Sequence, residues 1–391
     1  MGYAKYAVKK SEMDRRHEVT CKKMKEAGID CLVMYSFDRT FGGALRYLTG
    51  QQVTLYPLGA TFSADGDIGL YGWGALGSKI TVADDNFPGK YNCAFPYFPN
   101  MYYSDEYIAS EMCRVIKENH YHCVGFCHMN NLPAVVYEYL KTNLPDVNFV
   151  NASDLIDRIQ AIKSDYEMEL YQYAVDVQDR ILAAVPMFTR PGVLESDIAK
   201  RLRALAFDMD CEEVNVMIGT SHQDAPVFKE YFKQNEEIVD GDNVSVLVEV
   251  AAPGGLWAES GRVFSLGKPS EAMLKVSDDA LELQKTFAEK LLPGAAPTDI
   301  LHELDDELVR RGYGKNTMFC SHGQGLDIVQ RPVFVEKEDM LLEENMFLAF
   351  HPQCVGMGAD GVVFASHTDN YVVTKDGGKR MCRFPQGIIQ I

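Results

Sequence analysis

The sequence lacks the features that mark membrane-spanning, secreted or nucleic-acid-binding proteins. No stretch approaches the roughly 18 consecutive apolar residues that a transmembrane helix needs. The opening residues, MGYAKYAVKKSEMDRRHE, contain no apolar run, so we expect no secretory signal. Basic residues are few, 38 against 56 acidic ones, and the resulting net charge of −18 argues against nucleic acid or an anionic membrane surface as a partner.

A disulfide framework is also missing. The 10 cysteines are scattered without the regular spacing of a small secreted scaffold, which favours reduced thiols in a cytoplasmic protein. Cys123, Cys127 and His128 form the one local group that resembles part of a metal site. No second Cys/His pair stands at a suitable distance, so a structural role is favoured for these three residues.

The length of 391 residues suits two domains rather than one core. Strand and helix patterns alternate in the first part of the chain, beginning with an amphipathic helix at Ser11–Gly28 and including a helix at Asp105–Glu118, which predicts an α/β domain over residues 1–161. Ser164 can cap the long helix that follows, with Glu167 as its capping-box partner. A second domain is therefore predicted over residues 162–391.

Polar side chains recur on apparently buried strands of the second domain. Charged and imidazole groups are costly to bury without partners, so several on such strands are expected to face one another around a site. The candidates are Glu249, Glu259, His322, His351, His367 and Asp369.

The motifs of this part of the chain resemble the pita-bread (M24) family, which includes creatinase, prolidase, aminopeptidase P and methionine aminopeptidase. They are GDNVSV followed by a strand, GRVF, HGQGLD, an FHP turn and VVTKDGG, in that order. The units RPGVLESDIAKRL and LPGAAPTDILHEL look like the internal repeats of that fold. The resemblance implies a creatinase-like α/β amino-terminal domain and an α+β domain in which two helix pairs cover one curved antiparallel sheet.

Peptidases of this family hold two metal ions with two aspartates, a histidine and two glutamates. The position of the second aspartate is matched by Glu259, three residues before Arg262. The first aspartate is expected eleven residues earlier, at Val248, which cannot bind a metal. Its neighbour Glu249 would point to the opposite face of the strand unless a bulge intervened.

The remaining ligand positions also depart from the family pattern. His322 matches the histidine of the HGxGLD motif, His351 replaces the first glutamate, and Thr368 stands at the second glutamate. A two-metal centre is therefore not expected, because such centres need bridging carboxylates. Glu259, His322 and His351 would together suit a single Fe or Zn ion.

The favoured functional interpretation is a creatinase-like hydrolase that cleaves a C–N bond of a small polar nitrogen compound without a metal. His322 or His351 would act as general acid and base, and Glu259 would stabilise the cationic leaving part. Alternatives are a single-metal Xaa-Pro-type peptidase, an iron-dependent C–S lyase of the same fold, and a ligand-binding pseudoenzyme. A fully structural role of the two histidines is a further alternative.

Other residues are assigned by the same resemblance, which implies a homodimer whose sites are completed by the partner's first domain. Arg262 is expected to orient Glu259 or contact substrate, Arg331 to bind a substrate carboxylate or form a surface ion pair, and His222 to lie near the site and bind substrate. Arg39 and Arg46 are the candidates from the partner's first domain. Aromatic residues between 97 and 103, together with Trp73, are candidates for lining a pocket.

Overall fold

The computed structural model describes residues 8–53, 55–74, 91–95, 101, 103–222, 224–316, 318–359 and 361–391. The chain divides into two compact units, Met1–Gln160 and Ala161–Ile391. The domain boundary predicted from the sequence lies one residue further along the chain than this division. Each unit has its own β-strands and its own helices.

The first unit is built on a mixed sheet with helices. Its described elements are α1 (Lys10–Ala27), β1 (Cys31–Ser36), α2 (Gly43–Thr49), β2 (Leu58–Ser63), β3 (Ile68–Trp73), β4 (Tyr91–Phe95), α3 (Asp105–Glu118), β5 (Cys123–Phe126), α4 (Ala134–Asn143), β6 (Asn148–Asn151) and α5 (Ser153–Ala161). The strand order is β4-β3-β2-β1-β5-β6. β1 pairs antiparallel with β2 and parallel with β5, which makes this an α/β unit.

Local sequence patterns explain most of these elements. The six residues of β1 are all buried, as a central strand requires. In α3, Ile108, Met112 and Ile116 recur every four residues and are buried, while acidic residues stand in its first turn. The predicted helix at Asp105–Glu118 is confirmed. The sequence analysis did not identify α2, which at seven residues is too short for helical periodicity to be recognised.

The second unit contains the longer antiparallel pairs. Its described elements are α6 (Asp165–Phe188), α7 (Glu195–Asp208), β7 (Glu213–Ser221), β8 (Asn243–Ala251), β9 (Trp257–Ser265), α8 (Glu271–Ala288), α9 (Pro297–Arg310), β10 (Ser321–Gly323), β11 (Gln330–Val333), β12 (Phe347–Phe350), β13 (Gln353–Gly358), β14 (Gly361–Ser366), β15 (Asp369–Thr374), β16 (Gly377–Arg380) and β17 (Ile389–Gln390).

Two sheets of this unit meet where the polar residues cluster. One has the order β17-β9-β8-β7 and the other β11-β10-β12-β15-β16. A bridge between Gly261 and Thr368 connects β9 to the start of β15. α6 and α7 pack on the first sheet, while α8 and α9 share a hydrophobic core with β12 and β15. The predicted arrangement of two helix pairs on antiparallel strands is therefore confirmed.

The start of α6 confirms the predicted capping box. The hydroxyl of Ser164 accepts a hydrogen bond from the backbone N–H of Glu167, and the Glu167 carboxylate accepts one from the backbone N–H of Ser164. Such a cap stabilises a helix by about 1 kcal/mol. At 24 residues α6 is the longest helix described, and it carries several charged residues. Within the described part of the chain, no helix is both long enough and apolar enough to span a membrane.

Candidate active site

Three side chains from different strands meet inside the second unit. Glu259 lies on β9 and His322 on β10, while His351 directly follows β12. β10 and β12 pair so that His322 is opposite Ala349, and His351 stands two residues further along, on the same face. A ligand atom of each of the three side chains lies within 4.8 Å of the other two, and all three residues are buried. The structure thus brings together the three residues that the sequence selected.

The orientation of His322 is fixed from both sides of its ring. Its Nδ1 lies 2.9 Å from the carbonyl oxygen of Gly323, which can only accept, so Nδ1 carries the proton. Its Nε2 then faces Glu259, at 3.2 Å from Oε2. The ring of Phe319 contacts the imidazoles of His322 and His351 edge-on, with centroids 5.3 and 5.8 Å away. An apolar ring therefore closes one side of the cluster.

The pKa values of the three groups diverge because of their contacts. Burial acts to raise the pKa of Glu259, but the hydrogen bond with His322 and the nearby imidazoles hold it below its ordinary value. Burial acts to lower the pKa of His322, but the contact with Glu259 raises it above the ordinary value. At His351 burial dominates and the pKa is lowered. Without a bound ion, the cluster thus combines a carboxylate, a readily protonated imidazole and a neutral imidazole.

The same three groups fit one divalent metal ion. Two imidazoles and one carboxylate are a common ligand set for Zn(II) or Fe(II) with open positions. The contact of His322 Nδ1 with the Gly323 carbonyl is the second interaction that metal-binding histidines usually make. Among the residues that the structure describes, no other group of three His, Cys, Asp or Glu side chains is this close together.

Thr368 lies beside the cluster, at the junction of β12, β15 and β9. Phe350 on β12 pairs with Asp369 on β15, so the pairing places Thr368 next to His351. Thr368 also bridges to Gly261, two residues from Glu259. The side chain at this junction is therefore a hydroxyl, at the position where the resemblance to the family places the second glutamate.

Glu249 lies at the site, and the sequence argument that placed it on the opposite face is wrong. β8 and β9 pair regularly, with Glu249 directly opposite Glu259, so the two carboxyl groups share a face without any bulge. Asn215 of β7 donates Nδ2–H to Oε2 of Glu249 at 2.6 Å. Burial, and then the charge of Glu259, raise the pKa of Glu249 to about 8. The error arose from an assumed spacing of eleven residues to Val248, whereas the opposed carboxylates here are ten residues apart (249 to 259).

Arg262 does not orient Glu259, contrary to the expectation from the sequence. Arg262 is the third residue after Glu259 on β9, an odd offset, so the two side chains point to opposite faces. The guanidinium is fully buried and its Nη2 pairs with Oδ1 of Asp369 at 2.6 Å. Its other N–H groups donate to the carbonyls of Gly261, Thr368 and Pro385. A role in contacting substrate does not fit these internal contacts.

His367 and Asp369 also lie in the core rather than in the cluster. The Nε2 of His367 is 2.8 Å from the hydroxyl of Ser277 on α8. Burial, and then the charge of Arg262, lower the pKa of His367 to about 3, so it stays neutral. Asp369 accepts hydrogen bonds from Arg262 and Arg380, and its pKa is held below its ordinary value by these two cations, which outweigh burial. Neither residue is free to face Glu259.

His222 lies far from the cluster along β7 and β8. It follows Ser221, which pairs with Asn243, and Glu249 is six residues beyond Asn243 on β8. Six residues of a strand span about 20 Å. The Nδ1 of His222 instead lies 2.7 Å from Oδ1 of the buried Asp242, with the imidazole largely exposed. The expected position of His222 near the site is therefore wrong.

Arg331 and the arginines of the first unit are not part of the cluster. Arg331 pairs with Glu338 at 2.6 Å and with Asp339, so its positive charge is balanced by carboxylates of the same protein. Arg39 and Arg46 belong to the first unit, where Arg46 donates a hydrogen bond to Gln52. Their predicted contribution to a partner's site stays a prediction. Most of the aromatic group between residues 97 and 103 lies outside the described residues.

Two asparagines near the cluster were missed by sequence reasoning. Asn215 positions Glu249, and Asn370 accepts the backbone N–H of Glu259 at 3.1 Å. Asn370 also donates Nδ2–H to Gln178 on α6, which ties β15 to that helix. The available signal was an asparagine within a run of strand-forming residues, as in EVNVMIG and DNYVV.

Comparison with known proteins places this chain and its fold in a family. The model of metallopeptidase family M24 matches residues 169–375, more than half of the chain. Among curated proteins, a probable dipeptidase PepE of Mycobacterium bovis is 25% identical over 244 residues, 62% of this chain and 64% of that protein. An Xaa-Pro dipeptidase of Lactobacillus helveticus is 24% identical over 64% of this chain and 68% of its own length. The match thus spans a little under two thirds of the PepE relative.

Solved structures agree over nearly the whole chain. An Xaa-Pro dipeptidase from Bacillus anthracis covers 97% of this chain and 100% of its own, with a TM-score of 0.77 and 19% identity. An X-Pro aminopeptidase from Thermotoga maritima covers 96% and 99%, with a TM-score of 0.80 and 16% identity. At these identities the likeness shows the fold, while the family model carries the assignment. The chain therefore belongs to metallopeptidase family M24, a family of hydrolases, and has its pita-bread fold.

Proposed function

We propose that this protein hydrolyses an amide-type C–N bond of a small molecule at Glu259, His322 and His351, with one divalent metal ion. The observation that carries the proposal is the convergence of these three buried side chains to within 4.8 Å. Membership of a metallopeptidase family supports hydrolysis, and the relatives named as dipeptidases make dipeptides the first substrates to test. The prolyl specificity named for some relatives is not assumed.

The side chains around the centre have separable tasks. When bound, a divalent ion polarises a carbonyl oxygen and lowers the pKa of a coordinated water. Glu259 and the Nε2 of His322 face each other as ligands, and the Gly323 carbonyl holds the His322 ring in position. Glu249 shares the face of Glu259, and Asn215 fixes its orientation. Glu249 is therefore the carboxyl group placed to pass a proton to the leaving nitrogen.

A second candidate is hydrolysis without a metal, the mechanism that the sequence favoured. It is supported by the opposite pKa shifts of the two imidazoles, since the pKa of His322 is raised and that of His351 is lowered. Neighbouring groups whose pKa values are pushed apart can serve as acid and base. His322 would then donate a proton while His351 accepts one from water, and Glu259 would stabilise the imidazolium. The one-metal proposal is preferred because the same three groups also form a complete ligand set.

Chelation separates the two candidates. We expect protein purified without chelator to cleave at least one member of a panel of dipeptides and N-carbamoyl amino acids. Treatment with a chelator should then lower kcat/KM at least tenfold, and adding back Zn(II), Fe(II) or Mn(II) one at a time should restore it, because the ion supplies the activated water. The rate of product formation is measured by chromatography.

Each other outcome has a defined meaning. Turnover that resists the chelator but is lost in His351→Ala contradicts the metal and supports the acid–base candidate. Absence of turnover on the whole panel contradicts the hydrolase proposal. Binding of panel compounds without turnover would then point to a ligand-binding protein on a peptidase scaffold.

A further inference from the structure

Gln324 is a buried polar residue without a partner for its side chain. It is fully buried, and neither its Oε1 nor its Nε2 makes a hydrogen bond to any residue that the structure describes. Buried polar groups in folded proteins are nearly always hydrogen-bonded, because leaving one unpaired costs stability. Both ends of a carboxamide are unpaired here, and such an exception requires an explanation.

The backbone of Gln324 is held firmly. Its N–H donates to the carbonyl of Phe347 at 3.1 Å, and its carbonyl accepts the hydroxyl proton of Tyr171 at 2.9 Å. The next residue, Gly325, accepts a hydrogen bond from the N–H of Trp257 at 2.7 Å. The unpaired amide therefore belongs to an ordered segment and not to a loosely placed loop.

Gln324 lies beside the candidate centre and on its face. The bond from Gln324 to Phe347 continues the register in which His322 pairs with Ala349, so Gln324 and His322 point to the same side of the sheet. Trp257, which holds Gly325, is two residues before Glu259 on β9. The unpaired amide is thus one same-face position away from His322, and the residue after it is hydrogen-bonded to β9 two residues before Glu259.

We propose that Gln324 is a specificity-determining residue that binds an amide or ureido group of the substrate adjacent to the bond that is cleaved. A carboxamide presents an N–H donor and a carbonyl acceptor side by side, which complements a planar group carrying both C=O and N–H. Successive same-face residues of a strand are about 6.5–7 Å apart. This distance is about the length of two peptide units of a substrate. The inference rests on the proposed hydrolase function and names the substrate chemistry that the site selects.

The test is Gln324→Met, which keeps the length of the side chain and removes both polar atoms. We expect KM for the best panel substrate to rise about tenfold with kcat within a factor of two, because a hydrogen bond to substrate is lost while the centre is intact. The midpoint of thermal unfolding should stay the same or rise, since no internal hydrogen bond is broken. The dissociation constant of the same compound for chelator-treated protein, measured by calorimetry, should rise by the same factor.

Gln284→Met is the matched control. Gln284 is equally buried, but its amide donates to the carbonyls of Phe350 and His367, so its replacement should lower the unfolding midpoint and leave KM unchanged. An unchanged KM in Gln324→Met would show that the amide only holds an internal water and would overturn the proposal. If the wild type binds panel compounds without cleaving them, weaker binding by Gln324→Met still supports the assignment while the hydrolase function fails. Equal binding by both proteins would overturn the assignment as well.

Discussion

Replacing His322 with alanine is expected to lower kcat/KM by about a hundredfold to ten-thousandfold, the range typical for loss of an essential proton-transfer group. The imidazole contacts Glu259 through Nε2 and is fixed by Gly323 through Nδ1, so its removal takes away a positioned group of the centre. The loss is expected under either candidate mechanism, as a missing metal ligand or as a missing acid. The rate is measured on the best panel substrate, at a temperature where the variant is folded by circular dichroism.

His302→Ala is the control for this variant. His302 lies on α9 and is exposed, with its Nε2 at 3.0 Å from Glu336. Its removal should leave kcat/KM within a factor of two. Wild-type activity in a folded His322→Ala protein would remove His322 from the mechanism, and with it the assignment of the centre.

Replacing Arg262 with methionine is expected to lower the free energy of unfolding by about 3–5 kcal/mol, the range measured when one partner of a buried ion pair is removed. The guanidinium and the carboxylate of Asp369 are both fully buried and 2.6 Å apart. The substitution leaves that carboxylate with Arg380 as its remaining cationic partner, and it also removes the guanidinium N–H groups that donate to the carbonyls of Thr368 and Pro385. Denaturant unfolding of wild type and variant measures the difference.

Arg310→Met provides the comparison for this substitution. Arg310 pairs with Glu307 on the exposed side of α9, and exposed pairs contribute little, so the unfolding midpoint should hardly change. In the folded state Arg262→Met should keep the wild-type KM, because the side chain is internal and on the opposite face from Glu259. A large rise in KM without loss of stability would restore the role in substrate binding that the sequence suggested.

The sequence predicted the cluster well where each candidate could be placed by a motif of its own. His322 was found by HGQGLD, His351 by FHP and Glu259 by its distance to Arg262. Strand alternation then determines which side of the sheet each residue faces, provided that the register is known. For these three residues no assumption about the pairing of two strands was needed.

The errors occurred where the pairing of two strands, or a contact distant in sequence, determined the result. Glu249 was misplaced because a spacing one residue too long moves a side chain to the other face. The partner of Arg262 could not be predicted, since Asp369 is 107 residues away and the pair forms only when β15 packs beside β9. Nothing in the motif around His367 showed that it would face α8. These contacts depend on tertiary packing, which local patterns do not encode.

Binding of Zn(II) to chelator-treated protein, measured by calorimetry, tests the central claim most directly. We predict a stoichiometry of about one ion per chain, because the three side chains that converge, Glu259, His322 and His351, form a single ligand set. The site should be lost in His351→Ala and retained in Glu249→Gln. Two ions per chain, or one ion that still binds to His351→Ala, would contradict the account.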